Sequence, residues 1–147
     1  MTDRLDAQYR LRLAEGFLRE AEQDFSSQRW RSCVDNAQLS IENSGKTILA
    51  VFGPTPRTHQ PTRELQDLVD KGKLDPSLVN RLSQVLPLFD EFGLEEHFKT
   101  DYGLESDYLL PWELYDEEDA RKAKSAASQC FELAKEVFEF YFPNPQP

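Results

Sequence analysis

The sequence is poor in cysteine and has no long apolar run. Its two cysteines, Cys33 and Cys130, lie on apolar faces of predicted helices, so we expect two buried thiols and no disulfide. No apolar run approaches the ~18 residues that a membrane span needs. The charged start of the chain, MTDRLDAQYR, lacks the apolar core of a signal peptide. We therefore expect a cytoplasmic protein without a membrane segment.

Positive charge is also scarce. The chain has 17 basic and 27 acidic residues, which gives a net charge of −10 at pH 7. An acidic protein repels phosphate backbones, so direct binding of nucleic acid is disfavoured without a basic partner or a local basic patch. No cysteine or histidine spacing matches a zinc site or the Glu-x-x-His pattern of di-iron bundles. We therefore expect neither a metal nor a cofactor.

What the sequence does contain is helical periodicity, which is clearest in residues 30–52, WRSCVDNAQLSIENSGKTILAVF. Its apolar residues recur at spacings of three, four and seven, which is typical of one side of a helix. Such a helix would be roughly 33 Å long, at ~1.5 Å per residue. We predict that it is the central helix of an all-α, up-and-down bundle of four to five helices. The 147 residues are predicted to form a single domain, residues 1–147, with a frayed tail at 143–147.

Weaker patterns predict the other helices. A first helix is expected to bury a stripe at four-residue steps: Leu5, Tyr9, Leu13, Phe17, Ala21 and Phe25. Short and medium helices are expected to start at caps Thr62 and Asp75, and Pro87 should kink or divide the second of them. We expect at most one helical turn at 95–100 and then an ordered loop pinned by Tyr102, Tyr108 and Trp112. Asp116 is expected to cap the last helix.

Gly45-Lys46-Thr47 matches the end of a phosphate-binding loop. The full signature needs a glycine five residues earlier, where this chain has Ser40. The tripeptide also lies inside the predicted central helix, whose backbone N–H groups are already used. A nucleotide loop is therefore not expected here.

The central helix carries polar residues whose role the sequence leaves open. Glu42 and Lys46 are four residues apart, in the favourable order for an ion pair on the surface of a helix. Alternatively, they form a polar stripe with Asn36 and Asn43 that faces a cleft or a twofold interface, because buried amides must be paired. Both interpretations remain at this point.

The order of elements resembles the HEPN domain (higher eukaryotes and prokaryotes nucleotide-binding). The residues that carry the resemblance are the stretch 35–49, DNAQLSIENSGKTIL, with Glu42 and Lys46 at the family's Glu-x-x-x-Lys positions, followed by Gly53, Pro54, Thr58, His59, Tyr102-Gly103, Pro111, Glu113, Tyr115 and Asp119-Ala120. The resemblance implies a helical bundle that usually dimerises and is often paired with a small nucleotidyltransferase as a toxin–antitoxin system. It also implies either a metal-independent ribonuclease built on Arg-x(4–6)-His or a nucleotide-binding protein.

This chain departs from that ribonuclease motif. The three positions where the arginine would precede His97 hold Phe92, Glu91 and Asp90, and those before His59 hold Pro54, Gly53 and Phe52. Asp101-Tyr102 stands where many relatives read Arg-Tyr.

The leading hypothesis is therefore a non-catalytic bundle that forms a homodimer and binds a nucleotide, a partner protein such as a small nucleotidyltransferase, or both. Its expected ligand or interface residues are Asn36, Glu42, Asn43, Lys46, Asp101 and Tyr102.

Two alternatives remain from the sequence. One is a ribonuclease with an atypical site made of Arg57, His59, His97 and Lys99, which predicts that these side chains converge. The other is a pure protein-interaction scaffold that binds no small ligand. For the histidines, the ordinary expectation is a solvated or locally hydrogen-bonded side chain.

Overall fold

The computed structural model describes residues 4–143, except for the side chain of Leu94, and confirms the all-α class. Within this range there is no strand, only an isolated bridge between Leu104 and Leu109 and one 3₁₀ turn at Glu105–Asp107. The helices are α1 (Arg4–Ser26), α2 (Trp30–Phe52), α3 (Thr62–Asp70), α4 (Pro76–Glu91), α5 (Leu94–Tyr102), α6 (Pro111–Leu114) and α7 (Glu117–Tyr141). Residues 144–147 of the expected tail lie outside the described residues.

Helix α2 is the centre of the bundle and contacts each of the other six helices. Its predicted apolar stripe is buried, including Ile41 and Ile48. Its polar side is buried too, because every residue from Ser40 to Val51 is covered by neighbouring helices. A buried polar group must find a hydrogen-bond partner inside the protein, so the partners of these side chains define the polar interior of the bundle.

Helix α1 packs on α2 through a face that matches the predicted stripe only in part: Ala21 is buried as predicted and Phe25 packs partly buried against the core. Its buried residues are Ala7, Ala14, Leu18 and Ala21, while Leu5 and Tyr9 are exposed, so that part of the prediction is wrong. The reason is geometric, since a series of four-residue steps drifts roughly 40° round an α-helix at each step. The alanines permit a close approach, and Ser40 Oγ donates a hydrogen bond to the Ala14 carbonyl oxygen at 2.7 Å.

The predicted helix ends are mostly confirmed. The carboxylates of Asp75 and Asp116 accept hydrogen bonds from the backbone N–H groups of Ser77 and Asp119, as N-caps do. Helix α3 differs, because it starts at Thr62 itself with no side-chain cap. Helix α4 contains Pro87 without being divided by it.

The segment after α4 is more ordered than expected. Residues 94–102 form a nine-residue helix where one turn was predicted, so residues 4–143 contain six helices of nine residues or more. The loop that follows is closed by backbone hydrogen bonds between Leu104 and Leu109 in both directions, at 2.9 and 3.0 Å. Tyr102, Tyr108 and Trp112 are largely exposed, so the prediction that they pin this loop is wrong. Among the described residues, no helix is long and apolar enough to cross a membrane.

Candidate functional site

A buried ion pair lies at the middle of α2. Lys46 Nζ is 3.0 Å from Glu42 Oε2, and the two side chains are only 10% and 7% exposed. Gln38 adds a hydrogen bond from Nε2 to Glu42 Oε1 at 3.3 Å. The alternative that Glu42 and Lys46 form a surface pair is therefore wrong, because the neighbouring helices cover α2 here.

The loop between α2 and α3 brings His59 to the same carboxylate. His59 Nδ1 lies 2.7 Å from Glu42 Oε1, and the imidazole is 47% exposed. Because a carboxylate accepts hydrogen bonds, this contact places the proton of a neutral imidazole on Nδ1 and leaves Nε2 as the basic nitrogen. His59 thus connects the buried pair to the surface.

Helix α5 places the second histidine against the first. The rings of His59 and His97 stack with their centroids 4.5 Å apart and 17° between their planes. His97 Nε2 is 3.9 Å from Asp101 Oδ2, which is too long for a direct hydrogen bond. Among the described residues, His97 Nδ1 is buried and has no hydrogen-bond partner. We call Glu42, Lys46, His59, His97, Asp101 and Arg31 the Glu42 cluster.

Arg31 and Thr100 fix α5 on α2 at the edge of this cluster. Arg31 Nε donates to the Thr100 carbonyl oxygen at 2.5 Å, and Arg31 Nη2 is 3.6 Å from Asp101 Oδ1. Thr100 Oγ1 donates to Asp35 Oδ1 at 3.0 Å. Burial raises the pKa of Asp35 above its usual range, and the Thr100 hydrogen bond opposes that rise.

The cations of the Glu42 cluster are already neutralised. Lys46 is paired with Glu42, and Arg31 is paired with Asp101. An incoming phosphate would have to compete with these carboxylates, so the cluster is not organised as a simple anion site.

The two predicted amides lie elsewhere. Asn36 donates to Asp24 Oδ2 at 2.8 Å, which ties the start of α2 to the end of α1. Asn43 donates to the Leu39 carbonyl oxygen at 2.9 Å and accepts from Arg10 Nη1 of α1 at 3.4 Å. The predicted polar stripe therefore divides, because its amides contact α1 and its own helix while its ion pair faces the histidines.

The four residues of the predicted ribonuclease site do not all meet. The two histidines converge, but Lys99 pairs with Glu95 on α5, with Nζ 3.1 Å from Oε1. Arg57 is exposed and forms no ion pair with any residue that the structure describes. Tyr102 is exposed beside Phe98, with ring centroids 6.4 Å apart. The sequence pattern did not single out Arg31, Gln38 or Thr100, because their roles depend on contacts formed only in the folded bundle.

The tripeptide Gly45-Lys46-Thr47 is an internal part of α2. Thr47 Oγ1 donates to the Asn43 carbonyl oxygen at 2.8 Å, and Lys46 is held by Glu42. Gly45 packs so closely that a Cβ there would lie 2.7 Å from Pro61 Cγ. These residues are occupied by packing and helix hydrogen bonds, as the helical position predicted.

The cysteines are both buried and free. Burial raises the pKa of the Cys33 thiol to about 11 and that of Cys130 to about 12. Within residues 4–143, no group of three or more His, Cys, Asp or Glu side chains is arranged to hold a metal ion.

The fold and the Glu42 cluster define an all-α bundle with a polar centre that reaches the surface at His59. A sequence model of the HEPN domain matches residues 7–141, and the chain belongs to this family. No curated protein and no solved structure matches the chain. Family membership supports a role related to nucleotides or RNA, or a role in molecular interaction, in general terms.

Proposed function

We propose that this chain is a non-catalytic, cytoplasmic HEPN protein that dimerises and acts by binding, either of a nucleotide or of a partner protein such as a small nucleotidyltransferase in a toxin–antitoxin pair. The observation that carries the non-catalytic part of the proposal is the neutralised Glu42 cluster. Its cations are paired with carboxylates of the same cluster, and neither histidine has the arginine that the family's ribonucleases use. Such a site presents one imidazole, that of His59, oriented by Glu42, and it has little free positive charge to stabilise the transition state of phosphoryl transfer.

The exposed face of α1 supports the dimer. Arg12, Gly16 and Glu20 are all exposed at four-residue steps, and nothing lies within 4 Å of the position that a Cβ of Gly16 would take. Two α1 helices crossing antiparallel at Gly16 would place Arg12 of each copy opposite Glu20 of the other. A twofold interface is self-complementary in this way, and a glycine at its centre lets the helices approach closely.

Charge reversal tests that interface. Arg12→Glu and Glu20→Arg should each shift the protein toward monomer in sedimentation velocity, whereas the double variant should dimerise again. Arg63→Glu, an exposed reversal on α3, is the matched control. A wild-type protein that stays monomeric would contradict the dimer, and a dimer that ignores both single reversals would contradict this interface.

Ligand binding is tested by thermal stability. A nucleotide at ~100 times its dissociation constant adds about 2.7 kcal/mol to the free energy of unfolding. For a domain of this size that corresponds to a rise in Tm of roughly 5–11 °C. We expect a shift from one nucleotide class that His59→Ala reduces, or co-elution with a co-expressed nucleotidyltransferase. If no nucleotide raises Tm and no co-expressed nucleotidyltransferase co-elutes, the chain is better described as a scaffold for another class of partner.

The stacked imidazoles favour a second candidate function, a metal-independent ribonuclease. His59 is oriented by Glu42 through Nδ1, so its Nε2 is available to take the proton of a ribose 2′-hydroxyl. As the 2′ oxygen forms its bond to phosphorus and the bond from phosphorus to the 5′ oxygen breaks, His97, whose ring centroid is 4.5 Å from that of His59, would supply a proton to the leaving 5′ oxygen.

Hydrolysis of an unstructured RNA separates the two candidates. The wild type is compared with His59→Ala and His97→Ala, and with Asn80→Ala as an exposed control on α4. The non-catalytic proposal expects no cleavage by any of the four proteins. Cleavage that either histidine substitution abolishes, and that the control retains, would establish the ribonuclease instead.

A further inference from the structure

Six exposed apolar side chains lie on α5 and on the segment that follows it, and five of them are more than half exposed. We call Phe98, Tyr102, Tyr108, Leu110 and Trp112 the aromatic surface. Tyr108 is 92% exposed and Trp112 is 68% exposed. Single exposed apolar residues are ordinary, but a concentration of them in one short segment marks an interaction site.

Tight packing of the backbone brings part of this surface together. A Cβ on Gly103, which has φ +75°, would collide with the Leu109 carbonyl oxygen and lie 3.1 Å from the carbonyl carbon of Leu110. The chain on either side of Gly103 is therefore in contact, and Tyr102 lies next to the part that carries Leu110. Phe98 extends the surface along α5, with its ring centroid 6.4 Å from that of Tyr102.

Tyr108 is held in an unusual conformation. Its φ is +55°, in the left-handed region that side chains other than glycine rarely adopt. The hydrogen bond from its N–H to the Glu105 carbonyl oxygen, at 3.2 Å, helps to hold this turn. Because the backbone turn that carries Tyr108 is already formed in the free protein, binding does not have to order it.

The charges around the aromatic surface are mostly negative. Residues 98–113 contain four carboxylates, Asp101, Glu105, Asp107 and Glu113, and one lysine, Lys99. That lysine is already paired with Glu95, and the nearby Arg31, which lies over the Trp112 ring, is paired with Asp101. The four carboxylates form an acidic rim that repels phosphate groups. In a symmetric pairing of two copies, this rim would face an identical acidic rim.

We infer that the aromatic surface binds a basic segment of a partner protein. Aliphatic side chains of that segment would pack on Tyr108 and Trp112, while its lysines or arginines meet the carboxylates of the rim. Aromatic anchors with complementary charge around them are typical of binding hot spots. This inference rests on the partner-binding half of the proposed function and adds where the partner docks and what chemistry it presents.

The test uses two labelled synthetic peptides of about 18 residues, with leucines at helical spacing and either lysine or glutamate elsewhere. Fluorescence anisotropy should show binding of the lysine peptide to the wild type and none of the glutamate peptide. Tyr108→Ser/Trp112→Ser should weaken that binding about tenfold or more, as expected for the loss of two anchors. Tyr9→Ser, an exposed tyrosine on α1, should leave it unchanged.

A second variant keeps the test valid if the first one fails to fold. Glu105→Gln/Asp107→Asn keeps the aromatic rings and should weaken binding of the lysine peptide. Equal binding of the two peptides would overturn the inference, and so would unchanged binding of the lysine peptide by both variants. Loss of dimerisation or of RNA binding in Tyr108→Ser/Trp112→Ser would overturn it as well. If the lysine peptide does not bind but a nucleotide or a nucleotidyltransferase does, the inference is wrong and the proposed function stands.

Discussion

Replacement of Lys46 by methionine tests whether a buried ion pair holds the Glu42 cluster together. The variant keeps much of the volume of the side chain but leaves the Glu42 carboxylate, 7% exposed, with only Gln38 and His59 as partners. Breaking a buried pair by removing one partner costs about 3–5 kcal/mol. The two remaining hydrogen bonds offset part of this loss, at about 0.5–1.5 kcal/mol each. We therefore expect the free energy of unfolding to fall by about 2 kcal/mol, and Tm by roughly 4–8 °C.

A double-mutant cycle with Glu42→Gln separates the ion pair from simple packing. The double variant buries no charge at this position, so it should be more stable than the sum of the two single losses predicts, by about 1 kcal/mol or more. Urea denaturation followed by far-ultraviolet circular dichroism gives the four free energies. The reasoning is refuted if Lys46→Met stays within about 0.5 kcal/mol of the wild type, or if the two losses add.

Three further predictions concern packing, a helix cap and the thiols. Gly45→Ala would place a methyl 2.8 Å from the Phe89 ring, so we expect urea denaturation to show a loss of about 1–2 kcal/mol. Hydrogen bonds from the first turn of α7 lower the pKa of Asp116, so the lower Tm of Asp116→Ala should be evident at pH 7 and disappear as the pH falls below the usual carboxyl value of 3.8. Burial raises the pKa of Cys130 to about 12, so a disulfide reagent at pH 8 should modify the cysteines only as the protein unfolds.

The features that could be predicted from the sequence are those with a local cause. Helix α2 was predicted at its observed bounds, Trp30–Phe52, because its apolar periodicity lies within that one stretch of chain. The Asp116 cap was predicted for the same reason, since its carboxylate accepts from an N–H only three residues away. Most of the buried face of α1 was missed, because it consists largely of alanines. Alanine gives a weaker hydrophobic signal than Leu5 and Tyr9, which are exposed.

The candidate site depends on contacts that no local pattern contains. Glu42 and His59 are 17 residues apart in sequence, and Arg31 and Thr100 are 69 apart. Periodicity could place Glu42 and Lys46 on one side of α2, but whether that side is wet or buried depends on where α5 and the loop of His59 pack. The ribonuclease alternative correctly brought His59 and His97 together, but Lys99, one helical turn from Glu95, is paired on its own helix.

The polar interior of α2 is difficult to explain by stability alone. A buried ion pair such as Glu42 and Lys46 can often be replaced by apolar side chains without loss, so its presence points to specificity or function. Here the same carboxylate binds the lysine with one oxygen and the half-exposed His59 with the other. The pair therefore fixes the orientation of an imidazole that reaches solvent and stacks on His97. His59 is thus connected through a single carboxylate to the ion pair at the centre of the bundle.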